Sequence, residues 1–401
     1  MTVRVSKPAF KLRDKLSELD KPTGVKGTEL MRSETVQDVR NLVSAGRKNK
    51  FINGSMRIAQ RGTSHSLNTD NEYSLDRIKH IVRGTHDSTY TQSADHPDGF
   101  SKSLKISPNS TYTPSGSDNA SFQSFIEGQD LQDLQFGTSN AKPFTVSFYA
   151  KSASSNNGHQ YTFQIRTYPT SGETRVKNFP FIVTTTWQRF IFTFTGDQTK
   201  DIANSSGNGF ACLWNLDAGP DDIQPQYTDW YDIGKFQCVT GQSHFQDNTS
   251  NEFYLTGVQI EVGDEATEFE HLSYDEDLAR CERYCQKYGD GWWFTGFHRG
   301  AGYAEYGYCM LPLRTTMRSG SISVAAEGDN LQGYRYVPGG YKNVTLGSGR
   351  TATHIVMSGT QSSQMASLRI QWQSGHGWSD GDIVHYMSSN ADTFLTLSAE
   401  L

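Results

Sequence analysis

Residues 144–152 read FTVSFYAKS, and this stretch decides the fold class. Phe144, Val146, Phe148 and Ala150 alternate with Thr, Ser, Tyr and Lys, which is the period-two pattern of a strand with one face in a core. The pattern returns in predicted strands at residues 103–106, 161–168, 179–183, 188–195, 210–216 and 252–262. Turn residues separate these runs and no helix of crossover length interrupts them. The sequence therefore predicts an antiparallel β-sandwich of jelly-roll type over residues 51–272.

Composition agrees with a mainly-β protein of more than one domain. The chain has 401 residues, 20% of them charged, with 37 glycines and 12% aromatic residues. That aromatic content is too high for a disordered chain. No apolar run approaches the roughly 20 residues that a membrane span needs, so membrane insertion is not expected. The start also lacks the layout of a secretion signal.

The N-terminal 50 residues predict a helical anchor. Two apolar stripes at helical spacing indicate short helices, which need neighbours to bury them. The stripes consist of Leu12, Leu16 and Leu19, and of Val36, Val39 and Val43. Up to residue 61, Lys and Arg residues outnumber Asp and Glu residues, although the whole chain has a formal net charge of −6. This basic end suits an acidic protein surface, and nucleic acid is not an expected partner because no dense basic patch is interleaved with aromatics.

A linking helix is predicted at residues 273–288. Ser273 and Glu276 form a Ser-x-x-Glu capping box, and Leu278, Cys281, Cys285 and Tyr288 would share one face. Residues 289–401 then predict a second sandwich, with strands at residues 292–297, 303–311, 320–326, 353–357, 368–372, 382–387 and 394–399. The two cysteines on the helix could bind a metal, but buried apolar side chains are the favoured interpretation because no Cys-x-x-Cys pair occurs.

The search for chemistry favours binding over catalysis. No nucleophile elbow, zinc helix or phosphate loop occurs, so the chain is not predicted to be an enzyme or to need a cofactor. In a sugar-binding site, aromatic rings pack on the apolar face of the sugar, and nearby Asp side chains accept hydrogen bonds from its hydroxyls. The candidates are Trp214, Tyr227, Asp229, Trp230, Tyr231 and Asp232. The alternative is that both tryptophans belong to the core.

Two carboxylate hypotheses compete with sugar binding. Asp221, Asp222, Asp229 and Asp232 could supply the acid pair of a polysaccharide depolymerase. Asp217, with Asp221 and Asp222, could instead hold a structural calcium ion through hard oxygen ligands.

A second aromatic set opens the C-terminal region. It includes Trp292, Trp293, Tyr303 and Tyr306. Exposed aromatics would make a receptor-binding surface. Packing between sheets or between subunits is the alternative.

Several segments resemble a family of tail-fibre and virion structural proteins of marine and cyanobacterial tailed phages. Residues 49–64, NKFINGSMRIAQRGTS, are similar to that family's opening, and YSLDR follows at 73–77 with Ile78 where the family usually has Trp. Residues 255–284, LTGVQIEVGDEATEFEHLSYDEDLARCERY, follow its long motif, with Glu268 in place of Pro and Leu272 in place of a basic residue. The ending SAEL at 398–401 is also shared.

The resemblance implies a jelly-roll body, a homotrimer and a place on the virion, reached after synthesis in the host cytoplasm. Residues 1–50 would attach to other virion proteins, and the C-terminal sandwich would meet a host cell-surface glycan or protein. A capsid or neck decoration protein, or a free sugar-binding module, are the alternatives. Within the long motif, Glu261, Glu268, Glu270 and His271 are interpreted as structural residues, because they lie at the end of the last strand of the sandwich or in the turn that leads into the helix.

Overall fold

The computed structural model describes residues 32, 48–227, 229–232, 238–289, 293–299, 306–319, 322–327, 331–337, 340–344, 354–357, 365–371, 383–388 and 394–400. The chain divides into two compact units, Met1–Lys48 and Asn49–Leu401. The predicted anchor residues lie outside the described residues: Leu12, Leu16, Leu19, Val36, Val39 and Val43.

In the described part of the chain, two large antiparallel sheets face each other as a sandwich. The strands are β1 (Ser64–Leu67), β2 (Lys79–Arg83), β3 (Ser88–Ser93), β4 (Ser103–Pro108), β5 (Asn119–Glu127), β6 (Phe144–Ser152), β7 (Gln160–Thr167), β8 (Arg175–Ile182), β9 (Gln188–Phe194), β10 (Asn208–Ala218), β11 (Ile223–Gln224), β12 (Tyr231–Asp232), β13 (Cys238–Val239) and β14 (Phe253–Val262). The first sheet has the order β1-β3-β4-β14-β6-β9, and the second sheet has the order β12-β8-β7-β10-β5-β2. The short strands β11 and β13 pair separately. The mainly-β prediction is confirmed, and each strand predicted between residues 103 and 262 is present.

Aromatic side chains fill the space between the sheets. Trp214 stacks on Phe122 with ring centroids 5.1 Å apart, and Phe148 and Phe163 pack against the same indole. All four are completely buried. Burial of each such side chain stabilises the fold by about 1.5–3 kcal/mol or more relative to exposure. The apolar residues that alternate along residues 144–152 therefore form the inward face of a strand inside the sheet.

The outward face of β6 is less exposed than a half-buried strand implies. Thr145 and Ser147 are also buried. The Thr145 hydroxyl donates to the carbonyl oxygen of Gly263 (2.9 Å), and Arg189 donates to the Ser147 hydroxyl (3.0 Å). The segment that follows β14 covers this face, which the local pattern could not reveal.

The linking helix, α1 (Tyr274–Glu282), is present but shorter than predicted. Ser273 and Glu276 form the expected capping box, with both reciprocal hydrogen bonds. The helix ends at Glu282, so the prediction that it reaches Tyr288 is wrong. Residues Cys285–Tyr288 form a strand instead, because their backbone groups pair with the last strand of the chain. Among the described residues, no helix is long and apolar enough to cross a membrane.

The C-terminal region is built from antiparallel strands. They are β15 (Cys285–Tyr288), β16 (Trp293–Arg299), β17 (Tyr306–Pro312), β18 (Ser323–Glu327), β19 (Leu331–Val337), β20 (Gly340–Val344), β21 (His354–Met357), β22 (Met365–Gln371), β23 (Ile383–Ser388) and β24 (Phe394–Ser398). One sheet has the order β15-β24-β18, and the other has the order β20-β19-β23-β16-β17-β22-β21. The sequence predicted most of these strands but missed β15, β19 and β20, as it missed β1, β2, β3, β5 and the two-residue strands β11, β12 and β13 before the helix.

The segments at residues 49–64 and 255–284 meet in space. In the segment NKFINGSMRIAQRGTS, the Asn53 amide and the Arg57 guanidinium donate to the Asp277 carboxylate of α1 at 3.3 and 3.2 Å. The Gln60 side chain donates to the carbonyl oxygen of Cys285 (2.8 Å). The helix and the strand that follows it therefore pack on this first segment.

The end of the chain reaches the same place. Arg61 and Arg77 both pair with the Glu400 carboxylate, Arg61 at 3.2 Å. The Ala399 amide donates to the carbonyl oxygen of Tyr284 (2.8 Å). Ion pairs to Arg61 and Arg77 therefore attach the end of the chain to the sandwich, and the strand before it pairs with β15.

The motif residues at the end of β14 and in the turn that follows it have structural partners, as interpreted. Glu261 accepts from the Thr267 amide (2.9 Å) and from Gln259 (2.9 Å). Glu270 accepts from the Asn49 amide (2.7 Å). The His271 ring packs on Phe100, Glu268 accepts from Gln259 through its backbone oxygen, and these contacts fix the turn into α1.

Candidate functional site

Tyr227 and Tyr231 form an aromatic pair at the edge of the second sheet. Their ring centroids lie 4.5 Å apart with the planes tilted by 40°. Tyr227 is 44% exposed, which is unusual for a large hydrophobic side chain in this protein. Tyr231 lies in the edge strand β12, opposite Val176 of β8. The pair offers an aromatic face to solvent on a strand of the sandwich.

Polar contacts hold this aromatic pair in place. Asn178 of β8 donates to the Tyr231 hydroxyl oxygen (2.8 Å), and Gln226 donates to the Asn178 carbonyl oxygen (3.2 Å). Asp232 pairs with Arg175 at 3.1 Å. Burial raises the pKa of Tyr231, so the phenol stays neutral at physiological pH. The site is a neutral aromatic surface with fixed hydrogen-bonding groups beside it.

Trp214 and Trp230 do not belong to this site, which corrects the sequence-based set. Trp214 lies at the centre of the core with 0% exposure, and Trp230 is 7% exposed. The Trp230 indole N–H donates to the carbonyl oxygen of Thr195 (2.8 Å). Neither indole has an open face on which a sugar could stack, so both are core residues.

The predicted aspartates separate into different roles. Asp229 is exposed, and its carboxylate accepts from the Trp230 amide (2.8 Å). Asp221 is exposed, whereas Asp222 is buried and pairs with Arg83. Asp222 and Asp232 each have an arginine partner, whereas Asp229 lies two residues before Tyr231, in the segment that leads into β12.

The geometry does not assemble the predicted calcium ligands. Asp217 accepts from His244 (2.9 Å) and from the amides of Phe245 (3.0 Å) and Gln246 (2.8 Å). Burial raises the pKa of Asp222, which disfavours its charged form. Across the described residues, no group of three or more His, Cys, Asp or Glu side chains is arranged to hold a metal ion. The cysteines at 281 and 285 are buried thiols.

The C-terminal candidates are only partly described. Trp293 begins β16 and Tyr306 begins β17, and these strands are neighbours in the seven-stranded sheet. Trp292 and Tyr303 lie outside the described residues. The hypothesis of a receptor surface there stays a prediction.

The supporting residues of the tyrosine pair were missed from the sequence. Asn178 and Arg175 lie on β8, some 50 residues before the tyrosines, and nothing in their local pattern marks them. Their role follows from the pairing of β12 with β8, which places Asp232 opposite Arg175. Only a prediction of that long-range pairing could have found them.

Comparison with known proteins gives distant structural likenesses. The enzymatically active domain of bacteriophage CBA120 tailspike protein 4 is similar over 54% of this chain and 21% of that one, at 14% identity and a TM-score of 0.27. The CBM22-1 xylan-binding domain of Paenibacillus barcinonensis Xyn10C is similar over 55% of this chain and all of its own, at 13% identity and a TM-score of 0.27. A putative sugar-binding protein from Bacteroides thetaiotaomicron is similar over 54% of this chain and all of its own, at 8% identity and a TM-score of 0.30.

No family model matches the chain, and no curated protein matches it. The chain spans about a fifth of the tailspike domain's length. Likenesses at this distance carry no inference about ligand or activity.

Proposed function

We propose that this protein binds glycans, without cleaving them, as a structural component of a tailed-phage virion appendage. The observation that carries the proposal is the exposed Tyr227 ring set against Tyr231. Sugar rings have an apolar face that packs on aromatic rings, and their hydroxyls need hydrogen-bonding groups at the rim. Asp229 and Gln226 supply such groups beside the pair.

The rigidity of the pair favours binding. Asn178 and Arg175 fix Tyr231 and Asp232 from the neighbouring strand. Less side-chain freedom is then lost when a ligand binds, so more of the contact energy is realised as affinity. An aromatic surface on a β-sandwich edge that is held in this way is suited to recognition of an extended polar ligand.

The virion assignment rests on the resemblance in the segments at residues 49–64, 255–284 and 398–401. In this proposal the chain is a homotrimer whose first 50 residues attach to other virion proteins. A capsid or neck decoration protein is the competing assignment. Immunogold electron microscopy of virions with antibodies against residues 288–401 distinguishes them. Gold at appendage tips supports receptor binding, gold over capsid or neck favours decoration, and absence of gold removes the virion assignment.

Glycan binding is tested with an array of bacterial surface polysaccharides, followed by calorimetry with the strongest-binding one. Tyr227→Ala removes the exposed ring, and we expect affinity to fall about three- to tenfold. Tyr274→Ala is the matched control, because Tyr274 is 54% exposed and lies on α1, away from the pair. If no polysaccharide binds the wild type, or if both variants lose affinity equally, the proposal is wrong.

A further inference from the structure

The outermost strand of the first sheet, β9, has an open edge. Among the described strands β9 pairs only with β6, and no bulge interrupts that pairing. Such an edge presents unpaired backbone N–H and C=O groups, which natural proteins usually block with lysine, proline or a bulge. The sequence of β9, QRFIFTF, contains neither lysine nor proline. The nearby strand β8 of the second sheet carries Pro180, so β9 is the edge that can accept another strand.

A groove of about 770 Å³ opens to solvent beside this edge. Phe190 and Phe192 of β9 line it and are partly buried against the core. Ile191 of β9 is 50% exposed in the groove, and Ile182 of β8 is 54% exposed in the same groove. An open strand edge with large apolar side chains exposed beside it marks a contact with another polypeptide.

The charges and hydrogen-bonding groups of the groove favour an uncharged strand over a glycan. Among the described residues that line the groove, Arg189 is the only charged one, and its guanidinium donates to the Ser147 hydroxyl (3.0 Å) and to the Thr267 carbonyl oxygen. The Gln160 side chain donates to the carbonyl oxygen of Thr240 (3.0 Å). The unpaired backbone of β9 therefore supplies most of the free hydrogen-bonding groups, and an extended uncharged chain can pair with them.

The strand β9 is complementary to itself. Its seven residues are centred on Ile191. When β9 of a second copy runs antiparallel in full overlap, the two Ile191 side chains lie opposite each other, and Phe190 lies opposite Phe192 of the second copy. Arg189 then lies opposite Thr193 of the second copy. A parallel arrangement in full overlap would instead oppose two arginines, so charge favours the antiparallel arrangement.

We propose that β9 pairs with β9 of a second copy of this chain about a two-fold axis at Ile191. The pairing joins the first sheets of the two copies and covers the half-exposed isoleucine. This inference goes beyond the proposed function and does not depend on glycan binding. A two-fold contact joins copies in pairs, so the assembly has twice the mass of the chain or of the proposed homotrimer.

Ile191→Lys tests the pairing in the full chain. Two lysines would oppose each other at the axis, so we expect the mass of the assembly to halve in analytical ultracentrifugation. The melting temperature should stay close to that of the wild type, because this side chain is already half exposed. Met310→Lys is the matched control and should leave the mass unchanged, because Met310 is 52% exposed but lies on β17.

A cysteine variant tests the same contact without adding a charge. Ile191→Cys should form a disulfide between two copies under mild oxidation, because opposite residues of paired strands have Cβ atoms about 4.5–5.5 Å apart. Met310→Cys should form none, and the five native cysteines are buried. If Ile191→Lys folds poorly, the cysteine variant decides, and absence of the disulfide overturns the proposal.

The other outcomes are equally decisive. Equal masses of the wild type and Ile191→Lys, or equal falls in both lysine variants, overturn the pairing between copies. A wild type that is a monomer or a trimer at every concentration also overturns it and leaves glycan binding intact. An unchanged mass with lost incorporation into virions overturns the pairing and assigns the edge of β9 to a different virion protein.

Discussion

The guanidinium of Arg77 lies 3.5 Å from the centre of the Tyr284 ring. Both side chains are about 99% buried, and Tyr284 also donates its hydroxyl to Glu127 (2.6 Å). Arg77 pairs with Glu400 and donates to the carbonyl oxygen of Phe125 (2.7 Å). A buried charge tolerates this position only because a carboxylate, a carbonyl and an aromatic face surround it. The contact joins the sandwich, the end of α1 and the C-terminal strand.

Arg77→Ala should therefore destabilise the whole Asn49–Leu401 unit. The variant removes one of the two arginines that pair with the Glu400 carboxylate, which is only 5% exposed, and leaves Arg61 as its remaining partner. We expect the free energy of unfolding to fall by about 3–5 kcal/mol, measured by urea denaturation. Lys50→Ala is the surface control, because its partner Asp133 is half exposed and such pairs contribute about 1 kcal/mol or less. Equal losses in both variants would contradict a structural role for the buried pair.

Acid should weaken the sandwich through His80. Burial, with the neighbouring His86, lowers the pKa of His80 from 6.5 to about 4. The unfolded chain therefore binds a proton between these pH values that the folded protein does not bind, so stability is lost as pH falls through this window. We expect this histidine to contribute a loss of up to about 3 kcal/mol, measured by urea denaturation across the range.

The acid sensitivity caused by His80 can be separated from the effect of other histidines, whose pKa values shift in the opposite direction or which are exposed. A hydrogen bond to Asp217 raises the pKa of His244, so its contribution is present at low pH and is lost as pH rises. His80→Gln should flatten the acid slope, whereas His96→Gln, at an exposed position, should not. A slope unchanged in His80→Gln would show that other groups cause the acid loss.

The cysteines should be chemically inert in the folded protein. All five are buried and free of disulfides. Burial raises the pKa of Cys285 and of Cys309 to about 12, so little thiolate forms at neutral pH. We expect no reaction with a thiol reagent until urea is added, when all five react. Rapid reaction in the native state would contradict the burial of these thiols. Protection that depends on added zinc would favour a metal pair at Cys281 and Cys285.

Deletion of residues 1–48 should leave a folded protein that no longer enters virions. The cut follows the boundary between the two compact units. Asn49, which remains, keeps its side-chain hydrogen bond to the Val258 carbonyl oxygen (3.0 Å). Circular dichroism and melting temperature check the fold, and immunoblots of purified particles check incorporation. Normal incorporation of the truncated chain would refute the anchor hypothesis.

Local patterns were sufficient for seven strands of the sandwich, from β4 to β14, and for the start of the helix. The alternation at residues 144–152 and the Ser273–Glu276 capping box depend on neighbours a few residues away, so the sequence alone determines them. The mainly-β class follows from the same local periodicity. Strands β1, β2, β3 and β5 were missed because polar residues interrupt the apolar alternation that marks a strand.

Only the tertiary structure decided which aromatic residues are accessible and where the helix ends. Trp214 and Tyr227 look equally suited to sugar binding in the sequence, yet the facing sheet buries the first completely and leaves the second exposed. Cys285 continues the helical stripe of α1, but pairing with Ser398 of β24 makes it part of a strand. Periodicity is a property of adjacent residues, whereas burial and the supply of hydrogen-bond partners depend on residues distant in sequence.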